Sequence, residues 1–210
     1  MSWYDLFSNF YDRSLEPYYR EQRRLAAEAL APREGEVVLD VPTGTGQSLD
    51  ELAARVGATG AVVGVDLSAG MLARAAQRVS GQGWSHVHLV ERGVHELDAA
   101  AIAQALGGAR PIDCLHVFLG LTAFPEWERG FENLWSLLRP GGRCVVVDVH
   151  DPKPGFQGKM VNLVARADIR RQTWTVLERL AEGYERRDLP SQKEHGGQLF
   201  LAVGRKRSGP

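Results

Sequence analysis

The sequence predicts an α/β protein: a doubly wound, mainly parallel seven-stranded sheet whose last two strands form an antiparallel C-terminal hairpin. Three observations carry that prediction. Short β-branched runs at 36–41, 61–66, 86–91, 112–118 and 143–149 alternate with helical stretches, the order that puts helices on both faces of parallel strands. The first run, Val37-Val38-Leu39-Asp40, ends in an acid and is followed by a Gly-X-Gly turn, Gly44-Thr45-Gly46. The runs Tyr184 to Leu189 and Gln198 to Gly204 follow one another with no helix between them, so they are expected to pair antiparallel at one edge.

The 210 residues suit a single domain in three parts: an N-terminal cap or lid at 1–35, a core at 36–150, and a helical segment plus hairpin at 151–210. In the first part, Trp3, Tyr4, Leu6, Phe7, Phe10, Tyr11, Leu15, Tyr18 and Tyr19 recur at near-helical spacing. Such density reads as a helix packed on the core, or as a lid over an apolar ligand, or as a membrane-surface contact. The core opens on a fully apolar strand and the glycine turn, which leaves bare backbone at a strand tip. The second strand, Val62-Val63-Gly64-Val65-Asp66, ends in another acid, where a ribose hydroxyl pair arrives in a doubly wound sheet. Ser68 then reads as the N-cap of a helix from Ala69 to about Val79, with Met71 either core or a contact for a base face. A third strand leads to Arg92-Gly93-Val94 and a fourth spans Ile112 to Phe118. The turn Pro140-Gly141-Gly142 is expected to reverse the chain before a fifth strand, Cys144 to Val149. Residues from about Gly155 to Glu182 read as helical.

The turn also discriminates between nucleoside cofactors. A dinucleotide fingerprint places a third glycine three residues after the second, where the helix N-terminus meets the pyrophosphate. Here Leu49 holds that place, and Asp40 stands just before the turn. A carboxylate there repels a pyrophosphate but suits a cationic amino-acid tail. S-adenosyl-L-methionine carries an ammonium and a sulfonium centre and no phosphate, so it is favoured over NAD. The terminal hairpin is a further mark against a nicotinamide enzyme.

Leu39-Asp40-Val41-Pro42-Thr43-Gly44-Thr45-Gly46 resembles the Leu-Asp-X-Gly-X-Gly-X-Gly run of the class I S-adenosylmethionine-dependent methyltransferases, with Pro42 in place of the first glycine. Val65-Asp66-Leu67-Ser68 is similar to the second motif of that family, and Leu138-Arg139-Pro140-Gly141-Gly142 to its Leu-X-Pro-Gly-Gly turn. The resemblance implies a Rossmann-like methyltransferase fold. It also implies that Asp40, Thr43, Gly44, Thr45 and Gly46 hold the methionine end and Asp66 the ribose. Leu67, Met71, Gly93 and Val94 would surround the adenine, and Phe118 would face the methyl-transfer channel. The family's third acid is absent at Arg92-Gly93-Val94, where backbone, Glu91 or His95 would have to substitute. Tyr11-Asp12, preceded by aromatics, resembles the entry segment of methyltransferases acting on phospholipids and quinones. The implied acceptor is small or lipophilic, a phospholipid amine head group ahead of a quinone ring. Tyr4, Tyr11, Tyr18 and Tyr19 are candidates to line its site, and His150 is the candidate base for a hydroxyl acceptor. A non-catalytic protein that binds S-adenosylmethionine is the alternative.

Composition excludes other classes. A net charge of −1 gives no pull toward nucleic acid, and Phe118-Leu119-Gly120-Leu121 stands where base methyltransferases carry an Asn-Pro-Pro-Tyr-like signature. Cys114 and Cys144 fall in predicted strands and read as reduced core thiols. His86 and His88 lack the ligand spacing of a metal site and His116 reads as a core histidine, so no metal is expected. No signal peptide or spanning stretch is read, which predicts a cytoplasmic protein. Peripheral contact with the inner membrane face would run through the N-terminal aromatics or through Met160, Val161, Leu163, Val164 and Ile169 beside Arg166, Arg170 and Arg171. A solvated helix packed on the sheet accounts for the same residues.

Overall fold

The computed structural model describes residues 19–192 and 195–209; Tyr4, Tyr11 and Tyr18 lie outside them. Helix α1 (19–30) leads into the first strand, and the chain then alternates β1 (Val37–Asp40), α2 (Leu49–Val56), β2 (Ala61–Asp66), α3 (Ala69–Gln82), β3 (Val87–Glu91), α4 (Ala99–Leu106), β4 (Ile112–Phe118) and α5 (Trp127–Leu137). The remainder is β5 (Leu138–His150), α6 (Phe156–Ala165), α7 (Thr175–Leu180), β6 (Glu182–Asp188) and β7 (Gln198–Arg205). All seven strands join one sheet in the order β3-β2-β1-β4-β5-β7-β6. The first five are parallel, while β7 inserts antiparallel between β5 and β6.

The apolar run of β1 is explained by its central place. Val37, Leu39 and Val41 enter the cluster on one face, with Leu115, Phe131 and Leu134, whereas Val38 enters the other, with Leu30, Leu49 and Leu201. Alternating side chains on a strand covered on both sides must all be apolar. Helix α3 starts as the sequence predicts, with the Ser68 hydroxyl accepting from Met71 N–H at 3.3 Å, but it runs three residues past the expected end. Gly83, in the left-handed conformation at φ 68°, closes it.

Two further boundaries differ from expectation. Pro140-Gly141-Gly142 does not reverse the chain: it lies inside β5, where Leu138 already pairs with Ile112. Gly141 N–H donates to the Lys206 carbonyl and Lys206 N–H to that of Gly142, both at 2.9 Å. The helical segment after β5 is split into α6 and α7, with Arg166 in left-handed backbone at φ 49° ending the first.

Because β2 and β3 leave β1 on one side and β4 and β5 on the other, the segments after β1 and β4 run to opposite faces of the sheet, α2 to one and α5 to the other. Such a switch point is where open α/β sheets leave a crevice.

Candidate cofactor and acceptor site

The turn after β1 is anchored from three directions. Thr43 N–H donates to the Val65 carbonyl at 2.8 Å, its hydroxyl donates to Asp40 at 2.7 Å, and its carbonyl accepts from Gly46 N–H at 2.9 Å. The threonine sits over Gly64, where a Cβ would come within 2.8 Å of its hydroxyl. Gly46 has φ 81° and no room either, since a Cβ there would stand 2.8 Å from Leu49 and 3.2 Å from Ala75. Leu49 itself is fully buried under the α1 side of the sheet, so the residue that departs from the dinucleotide fingerprint is core. Gly44, at φ 56°, is the opposite case: a Cβ built on it meets nothing within 4 Å. Its backbone faces open space.

Pro42, in place of glycine, follows a cis peptide bond and packs against Gly120 in the loop after β4, where a Cβ would come within 2.3 Å of the proline ring. The proline is thus matched by a glycine on the neighbouring strand's loop.

Asp40 is completely buried and both of its oxygens are engaged, one by Thr43 and the other by His116 Nδ1 at 2.7 Å. It therefore stiffens the turn and, fully buried, has no oxygen left for direct contact with a ligand. Asp66 at the tip of β2 accepts from Gly44 N–H at 2.8 Å and from Ser68 N–H at 2.9 Å. Burial pushes its pKa up, with the Asp40 charge adding to it, and backbone donors from Ser68, Gly44 and Leu67 only partly oppose that. A carboxylate has about four lone-pair sites, so Asp66 retains acceptor capacity while it fixes the turn.

Around the predicted base pocket, Leu67 is 72% exposed, an apolar lip beside Asp66. Gly93 lies across from it, a Cβ there being 3.8 Å from Leu67. Met71 is buried in the first turn of α3. Val94 turns its side chain away, onto Gly130 of α5, and its carbonyl accepts from Asn133 at 2.8 Å; only its backbone borders the lip. Thr45 is buried and borders a cleft along α3 with Arg74 and Arg78.

An aromatic cluster closes the end of β4, with Phe118 7% and Tyr19 6% exposed. Phe118 at the end of β4 stacks on His116 at 6.0 Å and meets Tyr19 of α1 edge-on at 6.2 Å. Tyr19 in turn lies 4.7 Å from the buried His195 ring. The Arg23 guanidinium covers Phe118 at 5.5 Å and bonds Gln47 in the turn before α2, a cation–π arrangement that ties α1 to the glycine turn. His150 is not part of this cluster. It faces Trp174 at 4.9 Å, which packs on Phe200 on the other side of the sheet. Burial and Arg186 hold its pKa below the ordinary value. The structure brings Tyr19 and Phe118 together with the glycine turn and leaves His150 behind the sheet; Tyr11 lies outside the described residues.

Four residues here escape sequence reasoning. His116, read as ordinary core, is the partner of Asp40; the one available signal is a histidine in an apolar strand beside a buried acid. Arg23 and His195 come from distant segments that only the fold brings together. Asp148, fully buried, accepts from Thr122 N–H at 3.0 Å and Thr122 Oγ1 at 2.9 Å, clamping the loop after β4, and burial lifts its pKa to about 6. Among the described residues no three His, Cys, Asp or Glu side chains gather as a metal site requires. Both cysteines are free and buried, with the Cys114 thiol pushed up to about 12. No described helix is long and apolar enough to cross a membrane.

Comparison with known proteins bears on the same elements. Residues 38–142, half of the chain, match the methyltransferase domain family. The demethylmenaquinone methyltransferase of Desulfitobacterium hafniense (strain Y51) is 28% identical over 155 residues, 73% of this chain and 57% of that protein. The 2-phytyl-1,4-naphtoquinone methyltransferase of Trichormus variabilis is 30% identical over 135 residues, 64% of this chain and 56% of its own length. The chain thus spans about half the length of the curated relatives it matches. Among solved structures, a SAM-dependent methyltransferase from Aquifex aeolicus superposes with a TM-score of 0.64 at 18% identity, covering 96% of this chain and 98% of that one. The geranyl diphosphate C-methyltransferase of Streptomyces coelicolor A3(2) gives 0.71 at 17% identity, covering 89% and 75%. With glycine turn, strand tips and sheet order in agreement, the chain belongs to the methyltransferase domain family, in the class I S-adenosylmethionine-dependent group.

Proposed function

We propose that this protein transfers a methyl group from S-adenosyl-L-methionine to a small lipophilic acceptor, a quinone-type ring ahead of a phospholipid amine head group. The residues present suit the cofactor: open space over Gly44, a carboxylate at the tip of β2, and a half-open apolar lip at Leu67 and Gly93. In this reading the backbone of Gly44, Thr45 and Gly46 borders the methionine end, with Asp40 stiffening the turn through Thr43. Asp66 accepts from the ribose, and Leu67, Met71 and the backbone of Gly93 and Val94 enclose the adenine. When bound, the cofactor supplies a methyl group on a sulfonium centre. The chain's own residues supply position: the buried cluster of Phe118 and Tyr19 backs a flat acceptor at the end of β4 and excludes water.

The acceptor order reverses the expectation drawn from the N-terminal aromatics. The observation that carries it is that the curated relatives are named for quinone substrates, and an aromatic wall suits a ring better than a head group. His150 has no role as base in this reading, because it lies behind the sheet.

The test offers methyl-labelled cofactor to the protein with two acceptors, a short-tailed 1,4-naphthoquinol and phosphatidylethanolamine vesicles. Label on the naphthoquinol ring is expected. Label on the amine restores the phospholipid reading, and cofactor binding without transfer to any acceptor of either class favours the non-catalytic one.

A further inference from the structure

We infer that the outward face of α6 is a docking surface for an anionic lipid bilayer. Three large apolar side chains lie on that face: Phe156 is 77% exposed, Met160 40% and Leu163 68%. Their spacing, four and then three residues, sets them in one stripe along the helix. The opposite face is already used. Gly158 fits so closely against the Gly196 carbonyl, Ile169 and Pro154 that a Cβ there would stand 2.7 to 2.9 Å from them, and Val161 packs on the adjoining core. The helix is therefore apolar on both sides, with only one side covered by the described residues.

Charge selects the occupant. From residue 152 to 165 the chain carries Lys153 and Lys159 and no Asp or Glu. The carboxylate on the N-terminal side, Asp151, accepts from Lys153 N–H at 2.8 Å. That on the C-terminal side, Asp168, is paired with Arg170 at 2.8 Å. An apolar stripe flanked by cations and free of acids matches an interfacial helix lying on negatively charged lipid. Arg170 and Arg171 do not belong to the surface: the first is held by Asp168, and the second donates to the carbonyls of Leu121, Thr122 and Phe124.

The position gives the contact a purpose. Gly196, against which α6 packs, adjoins His195, and His195 lies on Tyr19 of the acceptor wall. A bilayer on the outer face of α6 thus lies on the Tyr19 and Phe118 side of the sheet, the side to which a lipid-dissolved acceptor would be brought. This last step rests on the acceptor class proposed above; the docking itself does not.

Vesicle co-sedimentation of the full chain tests it, with wild type, Phe156→Ser/Leu163→Ser and Lys153→Glu/Lys159→Glu, on phosphatidylglycerol and on phosphatidylcholine vesicles. Every substituted side chain is exposed, so thermal melting should match wild type in each variant. Wild type should pellet with phosphatidylglycerol and less with phosphatidylcholine, and each double variant should bind about ten-fold more weakly. Cofactor titration and turnover of the short-tailed, water-soluble naphthoquinol should be unchanged in both variants. Wild type left in the supernatant, or equal binding by the Phe156→Ser/Leu163→Ser variant, overturns the inference. So does sedimentation velocity in which wild type is a dimer and that variant a monomer, which assigns the face to a second copy. Absent turnover with vesicle binding intact overturns the quinone reading and leaves the docking surface standing.

Discussion

At single residues, two buried carboxylates make opposite demands on pH. In the proposed role Asp66 accepts from ribose hydroxyls more strongly when ionised, and burial raises its pKa. Acidification should therefore weaken cofactor binding at a pH above the usual aspartate range. Asp66→Ala should weaken it at neutral pH by about 1.5–3 kcal/mol, as for a lost charge-assisted hydrogen bond. Calorimetric titration of S-adenosylhomocysteine checks both statements, and unchanged affinity in the variant rejects the ribose assignment. Asp148 answers to stability. With its folded pKa at about 6 against about 3.9 for the unfolded chain, the folded protein holds that proton more tightly. Its contribution is full below the unfolded value and is lost as pH rises through the folded one, a fall of about 2–3 kcal/mol. Urea unfolding near pH 4 and near pH 7 should show a smaller drop for Asp148→Asn than for wild type. His150→Ala should leave turnover within about two-fold of wild type, since its ring packs on Trp174 and not on the acceptor wall; a hundred-fold loss would return it to the site.

Among the elements, the glycine turn and its neighbours were legible because each signal is local. A strand ending in an acid and two turn glycines are read within about ten residues of one another, and the serine cap stands two residues after the acid of the next strand. What escaped depends on register. The parity that sends His150 behind the sheet and pairs His116 with Asp40 is set by strand pairing, which the sequence of one strand does not carry. The Pro-Gly-Gly segment misled for a related reason: its hydrogen bonds come from Lys206, more than sixty residues later, and turn a reversing signal into part of a strand. The loop after β4 makes a sharper case. Gly120 exists to receive Pro42, so Gly120→Ala should destabilise by about 1–3 kcal/mol through overpacking. Gly44→Ala, with open space around it, should cost only about 1–2 kcal/mol of left-handed strain yet weaken cofactor binding more than Gly120→Ala does. Denaturant midpoints set beside calorimetric affinities would separate the two, and equal effects on both quantities would contradict the roles assigned.

For the whole molecule, the doubly wound sheet does two things. It splits the core into two faces, and it leaves the cofactor cleft where the chain changes direction between β1 and β4. Class and cofactor were legible from order and motif; the acceptor wall was not, because Tyr19, Phe118 and His195 meet only after α1 and the β6–β7 connection fold over the same edge. The central claim is that this cleft holds a methyl donor against that wall. Single-turnover transfer of labelled methyl from S-adenosyl-L-methionine to a naphthoquinol measures it most directly, in wild type and in Asp66→Ala at equal protein concentration. The account predicts ring-bound label from wild type and at least about ten-fold less from the variant at subsaturating cofactor. Label that is indifferent to Asp66, or cofactor bound by wild type with no label transferred, would contradict it.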